Sequence, residues 1–182
     1  MPSEPIPHTS ATLKALASPL RRAILRHLAT NGPANSTSIG EVFGHNTGTT
    51  SYHLRQLAQA GLITEIPERA KGRERWWRTE PGNRVMPDRD TMSAQDKVIA
   101  ADLERSRLTE DMDALSGVLD NRAELGDWFQ GSRSLRFMTK AELKEFHDDY
   151  LRLLDRHGHK PEDAPDTARP IALRWYGYPA TE

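Results

Sequence analysis

Residues 38–61, SIGEVFGHNTGTTSYHLRQLAQAG, hold two helices with almost nothing between them. Ser38 and Glu41 stand in the S-x-x-E pattern, in which a serine and a glutamate reciprocally satisfy the free N–H groups that open a helix, so a short helix is predicted over about 38–43. Gly44-His45-Asn46-Thr47 then makes a tight turn, with Asn46 or Thr47 as the next cap. The second helix runs over about 48–60 and stops at Gly61, because glycine readily takes the left-handed conformation that ends a helix. So short a helix and so tight a turn leave few architectures for the neighbouring chain.

The second of these helices has two faces. Thr50, Leu54, Leu57, Ala58 and Gly61 recur at helical spacing and form an inward side. Thr49, Tyr52, Arg55, Gln56 and Gln59 point the other way, with Ser51 and His53 on the flanks. The outer face is therefore built of hydrogen-bonding tips, and no acidic residue occurs from 42 to 64.

The flanking segments have their own signals. TSATLKALAS puts Leu13, Leu16 and Ala17 at helical spacing over about 9–17. Ser18 then caps, and Pro19 opens, a further helix with Leu20, Ile24, Leu25 and Leu28 on one side, which Asn31-Gly32-Pro33 ends. Downstream, 62–66 and 73–79 are strand-like and joined by 67–72, which predicts a hairpin with Arg69, Lys71, Arg73 and Arg75 about its tip. Trp76 and Trp77 are adjacent in the second strand, so alternation sends one inward and one outward.

Helix, helix, short capped helix, tight turn, helix and basic hairpin, in that order, predict a winged helix-turn-helix whose second turn-joined helix enters the DNA major groove. Arginine can reach guanine O6 and N7, glutamine can pair with adenine, and hydroxyls serve base or phosphate. The candidate DNA-reading residues are thus Thr47, Thr49, Ser51, Tyr52, His53, Arg55 and Gln56. The candidate backbone-gripping residues are Arg69, Lys71, Arg73 and Arg75, each able to neutralise a phosphate. Charge distribution agrees: residues 1–90 carry 12 Lys+Arg against 8 Asp+Glu, while 91–182 carry 13 against 18, so the front suits a polyanion and the back does not.

The run from LKALASPLRRAIL to GRERWWR, about residues 12–80, also resembles the ArsR-type winged-helix transcriptional regulators. SPLRRAIL is similar to that family's second-helix signature, and TTSYHLRQLAQAGLI to its recognition helix leading into the wing. The resemblance implies a homodimeric DNA-binding regulator, usually a repressor that leaves its operator when an effector binds, with contacts from Thr49, Ser51, Tyr52 and Arg55. Where the family's metal sensors place a paired-cysteine signature, this chain has Ser38-Ile39-Gly40-Glu41-Val42, and it contains no cysteine at all. Thiolate sensing of metals is excluded, and with it every disulfide and cysteine nucleophile.

Residues 81–94 hold two prolines and a glycine, counting from Pro81, and lack periodicity, which marks a linker. Beyond it Val98, Ala101, Arg105, Leu108, Met112, Leu115 and Leu119 follow the alternating three- and four-residue spacing of a coiled-coil seam, with Arg105 its only charged member. The seam could pair two protomers or pack within one chain. The first is favoured because a helix-turn-helix reads two half-sites through a partner. A second long helix opens at Thr139 with Glu142 completing its cap, and the alternation of Ile171, Leu173 and Trp175 predicts a terminal strand.

His147, His157 and His159 near Asp148 and Asp149 have spacing that suits helix faces and helix ends better than a zinc site, so no metal and no cofactor is assigned. No nucleophile elbow, phosphate loop, dinucleotide fingerprint or zinc-protease motif occurs, which argues against an enzyme. With no long apolar run and no leader-like start, a cytoplasmic protein without membrane contact is expected. Trp128, Phe129, Phe137, Phe146, Tyr150 and Trp175 could line a pocket for a small-molecule effector, though a plain core explains them better.

The expectation is a mainly α protein with a small β-hairpin wing. It comprises a winged helix-turn-helix over 9–80, a linker over 81–94, and a helical region for dimerisation and effector sensing over 95–182 that ends in a strand. Its partners would be a double-stranded DNA operator, a second copy and a small-molecule effector. The competing reading is a winged helix used as a protein-interaction or assembly module that binds no DNA.

Overall fold

The computed structural model describes residues 6–70, 72, 74–80, 82, 84–159 and 163–180. They fall into two compact units, one ending at Glu104 and the other beginning at Arg105.

The first unit runs β1 (Ile6–Pro7), α1 (Ser10–Leu16), α2 (Pro19–Asn31), β2 (Ala34–Asn35), α3 (Ser36–Phe43), α4 (Thr47–Gln59), β3 (Ile63–Glu65), β4 (Trp76–Thr79), β5 (Arg84–Val85) and the start of α5 (Ala94–Asp120). This is a winged helix-turn-helix: α3 and α4 around a tight turn, then the hairpin of β3 and β4. Ser18 caps α2 with Pro19 at the first helical position, and Asn46 caps α4 by accepting from the Thr49 backbone N–H at 2.9 Å. Gly61, just past α4, sits at φ 65°, where a side chain would be strained.

The start of α3 differs from the expected one. Its cap is Asn35, whose Oδ1 accepts from the Ser38 N–H at 2.8 Å, while the Ser38 hydroxyl accepts from the Asn35 N–H at 3.2 Å. Ser38 is thus the third residue of the capping box and takes the place expected of Glu41 in satisfying the cap's backbone. Asn35 wins because it is already fixed in β2, and its side-chain amide also donates to Glu74.

That two-residue strand was not foreseen. It pairs antiparallel with β4, giving a three-stranded sheet in the order β2-β4-β3, with Ala34 and Glu65 flanking Trp77. Trp77 is the inward tryptophan and Trp76 the half-buried outer one. The core beneath the sheet contains Leu13, Leu16, Ile24, Leu28, Ile39, Leu54, Leu57 and Ile63.

Within the stretch 81–94, β5 pairs in parallel with β1, and Met86 and Met92 pack on the core. The first turns of α5 belong to this unit as well. Ala100 and Leu103 are buried in the same core, and Asp96 accepts from the Ser10 and Ser93 hydroxyls, both at 2.8 Å.

Gly40 fixes how closely α3 approaches the turn. A Cβ there would lie 2.6 Å from the His45 carbonyl oxygen, a backbone atom that itself belongs to the turn. Gly40→Ala is therefore expected to destabilise the chain by about 1–3 kcal/mol, although alanine normally gains roughly 1 kcal/mol over glycine in a helix interior. Urea denaturation of the two proteins checks the sign, and a stabilised Gly40→Ala protein would contradict the close contact.

The second unit contains the rest of α5, a short α6 (Arg122–Leu125) and α7 (Lys140–His157). Thr139 and Glu142 form the expected capping box at the start of α7. The terminal strand expected over 169–178 is not present, because no neighbouring backbone offers that segment a ladder. Its side chains instead reach the helices. Trp175 stacks on His147 with ring centres 4.6 Å apart, and Arg174 and Tyr176 donate to the two oxygens of Asp111 at 2.5 and 2.6 Å. None of the described residues from 105 to 180 is buried.

Candidate nucleic-acid interface

The candidate interface is the outer side of α4 together with the wing. Leu54 and Leu57 are fully buried and hold α4 to the core, as does Thr50, whose hydroxyl donates to the Ser36 carbonyl at 2.8 Å. That bond ties α4 directly to α3 and sets the angle at which the outer face is presented.

On the outer face Thr47, Tyr52, Arg55 and Gln59 are exposed, and Thr49, Ser51 and Gln56 are half-buried. The Arg55 Nε donates to the Ser51 carbonyl at 3.2 Å, so its guanidinium is held along the helix. Gln56 donates to Gln59 at 3.2 Å, a weak contact that a base edge could replace. Tyr52 meets the His53 ring edge-on at 5.3 Å.

His53 lies on the flank. Its Nδ1 is buried without a hydrogen-bond partner among the described residues. Burial, then the charges of Arg21 and His45, hold its imidazole below the usual histidine range, so the neutral ring is favoured. Arg21 is tied in turn to α1, donating through Nη2 to the Lys14 carbonyl at 2.8 Å and through Nε to Ala15.

In the wing, Lys71 and Arg73 lie outside the described residues. Arg69 is exposed at the end of a short 3-10 turn, with its guanidinium 5.7 Å from the centre of the Trp76 ring. Arg75 is paired with Glu65 at 3.7 Å, an exposed contact of small worth that a phosphate would have to replace. Arg78 is not among the candidate residues of the hairpin tip. It stands exposed on β4 opposite Thr64, on the same side of the strand as Trp76, and the alternation that sends Trp77 inward could have identified it.

The seam residues lie along α5. Val98, Leu108, Met112, Leu115 and Leu119 are exposed, Arg105 is exposed, and Ala101 is half-buried. The six aromatics considered for an effector pocket do not converge. Phe146 and Tyr150 gather around Trp175, Trp128 lies under Arg169, Phe129 lies under Arg122, and Phe137 is wholly exposed. Among the described residues no group of three or more histidine and carboxylate side chains could hold a metal, and no helix is long and apolar enough to cross a membrane.

Residues 16–66 match the model of a helix-turn-helix domain family, and the sheet that follows α4 makes the domain a winged one. The match falls inside the segment that resembles the ArsR-type regulators. Similar solved structures include the homodimeric winged helix-turn-helix DNA-binding domain of a possible ArsR-family transcriptional regulator from Mycobacterium bovis, at 24% identity over 54% of this chain and 73% of that one, with a TM-score of 0.35. Another is a MarR family regulator from Neisseria meningitidis, at 30% identity over 59% of this chain and 79% of that one, with a TM-score of 0.33. No curated protein matches the chain.

Proposed function

We propose that this protein is a sequence-specific, DNA-binding transcriptional regulator of the ArsR type, acting as a homodimeric repressor that an effector releases without thiol chemistry. One observation carries the reading: an outer α4 face with exposed Tyr52 and Arg55 stands on a fully buried Leu54-Leu57 side, in a stretch without acidic residues from 42 to 64. Such a face offers donors to base edges and repels no phosphate. Arg69 and Arg78 in the wing would grip the flanking backbone.

The division of labour is testable. Arg55→Ala should cost about 1–3 kcal/mol on the preferred site and relax sequence preference, whereas Arg69→Ala should weaken all sequences alike and lower the salt slope by about 1. Titrating both variants against the selected site and random DNA at several salt concentrations checks this, and equal losses on both DNAs for Arg55→Ala would remove it from base reading.

The reading as a whole is tested by sequencing the DNA that the purified protein retains from a random pool. A palindromic enriched site is expected, with half-sites about one helical turn apart, roughly 34–36 Å. Absence of enrichment would transfer the domain to the protein-interaction class.

A further inference from the structure

The chain beyond residue 90 is acidic as a whole, with 13 Lys+Arg against 18 Asp+Glu, yet no acidic residue occurs from 128 to 141. This run, WFQGSRSLRFMTKA, joins the short turn at Trp128 to α7 and carries Arg133, Arg136 and Lys140. Every residue from Gln130 to Lys140 is exposed, and the backbone from Phe129 to Thr139 forms neither helix nor strand.

Two further arginines border the start of the run. The Arg122 guanidinium lies 4.9 Å from the centre of the Phe129 ring, and that of Arg169 lies 4.9 Å from the centre of a Trp128 ring. Stacking engages the face of a guanidinium and leaves the N–H groups at its edge open to an anion. Gly131 sits against the same Phe129 ring, where a Cβ would meet Cε1 at 3.5 Å, so Arg133 follows directly from the stacked pair.

Carboxylates are in excess in this part of the chain, and other cations use them. Lys144 is held by Asp148, Arg152 by Asp149 and Arg174 by Asp111. Among the described residues no carboxylate pairs with Arg122, Arg133, Arg136 or Arg169, and Arg136 donates only to the neighbouring Leu135 carbonyl, at 2.8 Å. Counting Glu124 and Asp127, residues 122–136 with Arg169 carry four arginines against two carboxylates, a net of +2 where the surroundings are negative. Arg133 and Arg136 are three residues apart in a chain without helix, up to about 10 Å, which suits successive phosphates better than one small anion. Arginine edges bind phosphate oxygens two at a time, and the exposed Ser132 and Ser134 hydroxyls between them donate to the same groups.

We propose that Arg133 and Arg136, with the ring-stacked Arg122 and Arg169, form a second contact surface for the sugar-phosphate backbone of duplex DNA, separate from α4 and the wing. The proposal rests on the DNA-binding reading above and adds a surface to it. In the full chain, Arg133→Gln with Arg136→Gln should weaken binding to the selected site and to random DNA by the same factor. The slope of log affinity against log salt should fall by about 2. Arg133→Lys with Arg136→Lys should keep the slope, because lysine still neutralises a phosphate as a point charge.

Titrations on duplexes that extend beyond the site on both sides, at several salt concentrations, check these outcomes. An unchanged slope in the glutamine pair would overturn the proposal while the Arg55 and Arg69 effects left the regulator reading in place. The same result with lost binding to phosphatidylserine vesicles would pass the patch to a membrane surface. A loss on the selected site alone, or one shared equally by the lysine pair, would overturn the backbone assignment. Unaltered protein that binds neither DNA at low salt would overturn the regulator reading itself, and this proposal with it.

Discussion

Trp77→Ala is expected to lower folding stability by about 3–5 kcal/mol, measured as the shift of the urea transition followed by circular dichroism. Trp77 is 6% exposed in β4, the central strand of the sheet, and its neighbours are Ala34 on one side and Glu65 on the other. Removing the indole opens a cavity at the one place where α2, β2 and β3 all depend on β4. Trp76→Ala serves as the control, because that ring lies half-exposed beneath Arg69 and its removal leaves no enclosed void. Equal shifts for the two variants would contradict the inward and outward assignment.

Leu54→Ala should lower stability by about 2–5 kcal/mol and, at temperatures where the variant is still folded, weaken DNA binding without touching DNA. Leu54 is fully buried on the inner side of α4, one turn after Thr50 and one residue before Arg55. The loss in binding would come through the position of the helix. A Leu54→Met variant, which conserves volume, should recover most of both quantities, at a cost under about 1.5 kcal/mol. Recovery of stability without recovery of binding would show that Leu54 acts on the interface by another route.

Local chemistry made much of the first unit legible. Ser18-Pro19, Asn46 and Gly61 act at the helix ends that the sequence indicates, because a cap is satisfied within three or four residues and needs no distant partner. The two faces of α4 follow from the helical period alone. What was not legible depends on remote contacts. Asn35 takes the place of Ser38 as the cap of α3 because pairing with β4 holds it in β2, and Arg75 shares its charge with Glu65 across the hairpin. The alternating segment at 169–178 lacks a strand to pair with and reaches Asp111 and the ring of His147 instead.

The sequence by itself determined the order of helices, turn and wing and the inner and outer sides of α4, since each is a periodicity or a cap written in neighbouring residues. The tertiary structure alone decided which tryptophan enters the core, how Thr50 and Gly40 set the crossing of α3 and α4, and that Ala100 and Leu103 bring the start of α5 into the core. Those outcomes depend on which surfaces meet. Contacts between segments far apart in the chain leave no local pattern from which they could be read.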